Sequence, residues 1–92
     1  MQLEIIAAIE TFEAWNQPWT FLEAVKAWPT LIAADRTTLQ QIWIEACDAR
    51  HWQHADNGQN AAAADLALQE RFPWLPDHAR AKLVRAASFE WK

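Results

Sequence analysis

The sequence predicts an all-α fold, a compact bundle of four or five helices with a Trp-rich core. Three observations lead there. No segment alternates apolar and polar residues between hairpin turns, as a half-buried strand would. Apolar residues instead recur at three- and four-residue spacing, in stretches rich in Ala, Leu, Glu and Gln. The chain holds one glycine, Gly58, and its four prolines fall at or near the edges of those stretches.

A first helix is expected over residues 3–15, with Ile5, Ile9 and Phe12 on one face and Ile6 and Ala8 beside them. Pro18 interrupts it. Thr20-Phe21-Leu22-Glu23 then fits a capping box, in which Glu23 reaches back to the Thr20 amide. The second helix places Phe21, Leu22, Val25 and Trp28 on one stripe and ends at Pro29. A short turn or helical piece spans 30–35. Thr37 or Thr38 caps the third helix, which runs to about residue 55 with Leu39, Ile42, Trp43 and Ala46 facing the core. Asn57-Gly58 stops it, Gly58 being the natural left-handed residue. The fourth helix, over 61–71, opens with four alanines capped by Asn60. Its Leu66 and Leu68 point about 200° apart, which leaves its buried face open. Two prolines stiffen the FPWLP link at 72–76, and the last helix starts near Asp77 with Leu83, Val84, Ala87 and Trp91 toward the core.

The 92 residues form a single helical domain, 1–92. A chain this long buries roughly 60–65% of its unfolded surface, so a core is possible without disulfides or metal. Seven Trp and no Tyr make that core aromatic. The lone Cys47 excludes an intrachain disulfide and points to a reducing compartment. The N-terminus has an acid at position 4 and no basic segment, and no apolar run approaches the roughly 20 residues a bilayer needs. The expectation is a cytoplasmic protein that does not engage membranes.

The net charge is −4. Residues 71–92 hold Arg71, Arg80, Lys82, Arg85 and Lys92 against Asp77 and Glu90, a balance of +3, so the remainder sums to −7. Global acidity argues against general binding to nucleic-acid backbones, with the basic C-terminal segment as a local exception.

Three sets of residues are candidate sites. Cys47, His51 and His54 fall within about 60° on a continuous helix, three ligand types on one stripe. The spacing lacks CxxC or HExxH character, and Cys47 reads as the flank of a core face, so no metal and no cofactor are expected. On the last helix, His78, Lys82, Arg85 and Phe89 cluster within about 60°, opposite the core face. Cations interleaved with an aromatic ring suit an acidic partner, and these four are the expected partner-binding residues, solvent-accessible together. Trp52 lies about 140° from the core direction of the third helix and is expected to be covered by the 57–60 connection or by FPWLP rather than to act as an anchor. No nucleophile elbow, phosphate loop or paired-carboxylate spacing indicates an enzyme, and Asp77-His78 are sequence neighbours rather than a dyad.

The expected function is therefore a small non-enzymatic helical module for protein–protein interaction, its partner bearing an acidic patch. By size and acidity it is similar to small acidic helical domains such as bacterial immunity proteins and adaptors, although no motif supports the likeness. The alternative is a nucleic-acid-associated or regulatory protein acting through its basic C-terminal helix.

Overall fold

The computed structural model describes residues 2–91, apart from the side chain of Gln2. Five helices follow in order: α1 (Gln2–Thr11), α2 (Phe21–Lys26), α3 (Ala33–Ala46), α4 (Asn57–Arg71) and α5 (Asp77–Glu90). Short 3-10 turns at Pro18–Thr20 and Ala49–His51 complete the regular structure, and no strand occurs among the described residues. The Cα radius of gyration, 12.4 Å, equals the roughly 12 Å of a close-packed chain of this length. No described helix is long and apolar enough to cross a membrane. Lys92, counted above in the basic segment, lies outside the described residues.

Ile5 and Ile9 of α1, Phe21 and Val25 of α2, Leu39 and Ile42 of α3, Leu68 of α4 and Leu83 of α5 are buried together. The open question on α4 is answered by Leu68 in the core and Leu66 at 55% exposure. α5 packs against α4, α1 and α3, and its buried alanines 79, 86 and 87 leave room for them. The tryptophans mostly flank this core. Trp52 is buried at 8% exposure, as expected for a covered ring, whereas Trp28 and Trp43 are half-buried and only pack against the core. Trp91 is 47% exposed rather than inside, and its indole donates to the Cys47 carbonyl at 2.9 Å.

Several element boundaries differ from expectation, one for an aromatic contact and the others for polar contacts that no local pattern announces. α1 stops at Thr11, four residues early, because Phe12 and Trp15 turn away to pack edge-on at 4.9 Å. Thr20 does not cap α2: its backbone is helical (φ −87°, ψ −1°) and its hydroxyl donates to the Gln17 carbonyl at 2.7 Å. α3 starts at Ala33, where the Ile32 amide donates to Asp35 at 3.3 Å, while Thr37 and Thr38 bond back to the carbonyls of Ala33 and Ala34.

The largest departure is at the end of α3, which stops at Ala46 instead of near residue 55. Asp48 is extended in ψ (128°) and accepts from the Arg50 amide at 2.9 Å, starting a new turn. The Trp52 indole then donates to the Ala46 carbonyl at 2.8 Å, taking up one of the carbonyls that a helix C-terminus leaves without a partner. α4 begins at Asn57, its cap being Asp56, which accepts from the Gly58 amide at 2.7 Å. Gly58 is thus a first-turn residue with no positive φ. Asn60, expected as the cap, is buried at 2% exposure and clamps the His54 backbone: its Oδ1 accepts from the amide at 2.9 Å and its Nδ2 donates to the carbonyl at 3.0 Å.

Candidate functional site

The metal-ligand stripe dissolves with the helix that would have carried it. Cys47 is the C-cap residue of α3, and burial, seconded by Glu90, pushes its thiol up to about 12. His51 is buried in the following turn, with Nε2 2.8 Å from Glu45 Oε2. His54 is exposed and held by its backbone. Among the described residues, no group of three or more His, Cys, Asp or Glu side chains is placed to hold a metal ion.

Glu45 is instead the centre of a structural clamp. Its second oxygen accepts from Arg71 Nη1 at 3.1 Å, and Arg50 approaches to 3.7 Å. The His51 hydrogen bond holds the Glu45 carboxyl below its usual range. Burial opposes this, and Arg71 adds to it. The clamp ties the turn after α3 to the end of α4. Arg80 does similar work at the start of α5. Its buried guanidinium reaches Asp65 at 2.9 Å, Asp77 at 2.5 Å and the Leu75 carbonyl at 2.9 Å. Asp77 therefore serves Arg80 and not the neighbouring His78.

The four residues expected to form the partner face divide into two groups. His78 is exposed and pairs with Glu10 of α1. Lys82 is half-buried, and its ammonium donates to the carbonyls of Glu10 and, at 3.1 Å, Phe12. These two fasten α5 to the C-terminal end of α1, where a cation also complements the helix dipole. Arg85 and Phe89 lie farther along α5, beside the 12–20 segment. Arg85 is exposed, with its guanidinium carbon 4.1 Å above the centre of the Trp15 ring. Phe89 is half-buried in the wall of a groove.

That groove has a volume of about 440 Å³ and runs between α5 and the Pro18–Thr20 turn, with Trp15, Pro18, Trp19, Ala86, Phe89 and Glu90 in its walls. Its floor is fixed from the core. Trp15 meets buried Phe12 edge-on and stacks with buried Phe21 at 6.3 Å, and Phe21 stacks with Trp43 at 5.4 Å. Its far wall is fixed by the chain: Pro18 is buried, the Thr20 amide donates to the Gln17 carbonyl at 3.0 Å and the Phe21 amide to the Pro18 carbonyl. Between them Trp19 stands 70% exposed. Trp19 is not among the site residues expected from the sequence. The missed signal was phase, since Trp19 falls about 200° from Phe21 and so off the apolar stripe of α2.

No protein-family model, no curated protein and no solved structure matches the chain.

Proposed function

We propose that the chain is a small non-enzymatic helical module that binds a protein partner through the groove between α5 and the Pro18–Thr20 turn. The observation that carries the reading is Trp19. A ring 70% exposed, on a backbone immobilised by a buried proline, loses little conformational freedom on binding and gains a large desolvated area. Trp is also among the residues most often dominant at interfaces. Two groups that catalysis could draw on are engaged in the fold, which supports the non-enzymatic part: the Cys47 thiol is held protonated by burial, and the buried His51 is bonded to a structural carboxylate. The nucleic-acid alternative is weaker because Arg71, Arg80 and Lys82 already serve partners within the fold, which leaves few cations for phosphates.

The test compares wild type with Trp19→Ala as baits in nuclease-treated lysate of the native host. Trp19→Ala is expected to melt like wild type, since exposed substitutions stay within roughly 0.5 kcal/mol. It is also expected to lose a protein that wild type retains. Identical capture by both baits rejects this surface, and capture that disappears with nuclease favours the alternative.

A further inference from the structure

We infer that the groove takes an apolar side chain from an acidic peptide segment, with Arg85 receiving a carboxylate beside that side chain. This rests on the reading of the groove as a protein-binding site and names the chemistry of its partner.

The argument starts from where the cations of the fold are used. Lys26 donates to Gln40, and Arg36 to the carbonyls of Lys26 and Trp28. Arg50, Arg71 and Arg80 each hold a carboxylate, and Lys82 holds the end of α1. Among the described Lys and Arg residues, Arg85 alone has a charged group with no oxygen partner, its contact being the face of Trp15. This contact with the ring face engages no oxygen and leaves the guanidinium N–H donors available. An arginine so placed is already oriented for a carboxylate, and less side-chain entropy is lost when one arrives. In a chain of net charge −4 that pairs its other described cations internally, this free donor edge sits over a ring that also walls the groove.

The groove supplies the apolar half. A volume of about 440 Å³ lies within the range of roughly 300–1,000 Å³ typical of binding pockets. Ala86, which shares the groove lining with Trp19, is small and buried, and the groove has room for a Leu-sized or aromatic group. Glu90 sets the polarity. It lies five residues after Arg85, about 7.5 Å farther along the helix axis at 1.5 Å per residue. Glu90 repels a second acid at that end, so the acid must enter on the Arg85 side. A phosphate backbone, with a charge at every step, would meet Glu90 as well as Arg85 and is disfavoured.

The full-length chain, labelled with ¹⁵N, is titrated with capped synthetic peptides while the indole N–H and Arg Nε signals are followed. One peptide presents Leu flanked by Asp. A second replaces Asp with Lys, and a third replaces Leu with Ser. A single-stranded oligodeoxynucleotide is the fourth probe. The Leu/Asp peptide is expected to shift the Trp15, Trp19 and Arg85 signals, and to bind about tenfold or more tightly than the Lys or Ser peptides. Arg85→Gln should lose that preference while remaining folded, with a melting temperature only a few degrees below wild type, and Arg85→Lys should recover only part of it because an ammonium does not stack as a guanidinium does. Equal response to the Lys peptide, preference for the oligonucleotide, or a groove filled by a second copy of the chain at the working concentration would overturn the inference. So would the same peptide affinity in Arg85→Gln. Lysate capture that depends on Trp19 but survives Arg85→Gln rejects the acidic chemistry alone. Capture that ignores Trp19 rejects the protein-binding reading itself.

Discussion

Replacing Lys82 with Met removes an ammonium and keeps most of the stem, which isolates what that charge does for the fold. α1 ends at Thr11, and the last carbonyls of a helix lack intrahelical donors. The Lys82 ammonium donates to two carbonyls at this end, those of Glu10 and Phe12. A hydrogen bond to a charged group contributes about 1.5–3 kcal/mol net, and a cation at a helix C-terminus a further 0.3–1 kcal/mol. Water can reach part of this half-buried position and replace some of what is lost. The expected cost of Lys82→Met is therefore about 2 kcal/mol. In a domain of this size each kcal/mol moves the melting temperature by roughly 4–8 °C, so the variant should melt about 8–16 °C below wild type. Lys82→Glu should cost more, because it adds a like charge next to Glu10 and the negative end of α1. Arg85→Gln, one helical turn away and exposed, should cost only the roughly 0.5–1 kcal/mol of its contact with the Trp15 ring. Urea and thermal unfolding followed by circular dichroism measure all three. If Lys82→Met unfolds with wild type, or Arg85→Gln is equally destabilised, Lys82 is not the tie between α5 and α1.

Three further outcomes are expected. The folded pKa of Glu45 is lowered, so its contribution to stability is present above the ordinary carboxyl value of about 4.3 and is lost as pH falls through the lower folded value. Urea unfolding across that acid range should show the gap between wild type and Glu45→Gln narrowing as pH drops, and a constant gap would contradict the clamp. Asn60→Ala strips both backbone groups of His54 of their partner and should cost about 2 kcal/mol, with faster hydrogen exchange at the His54 amide; Asn60→Asp, which keeps the acceptor, should retain that amide's protection better. With its thiol pushed up to about 12, only about one Cys47 in ten thousand is thiolate at pH 8, so a disulfide reagent should modify the native chain far more slowly than the urea-unfolded one.

The helical class, the stripe of Ile5, Ile9 and Phe12, the end of α2 before Pro29 and the Leu83/Val84/Ala87 face of α5 were all legible in the sequence. Each depends on spacing within one segment or on the missing amide of a proline, and both are local properties. Caps were less legible, because a threonine hydroxyl has a backbone carbonyl within reach as well as an amide. Thr20, Thr37 and Thr38 all donate to carbonyls, while Asp35 and Asp56 serve the helix starts. The candidate site was half legible. A stripe at His78, Lys82, Arg85 and Phe89 follows from helical phase, but phase says only which way a side chain leaves its own helix. What stands opposite is set by packing between elements far apart in the chain. The end of α1 occupies Lys82, the Trp15 ring lies under Arg85, and Trp52 with His51 folds the chain back over the end of α3. The sequence by itself determined which faces are apolar, because burial follows local period. Only the tertiary structure decided which of the described cations are used inside the fold and which one of them keeps its donors, because a charge is neutralised by whatever oxygen the fold brings within about 3 Å of it.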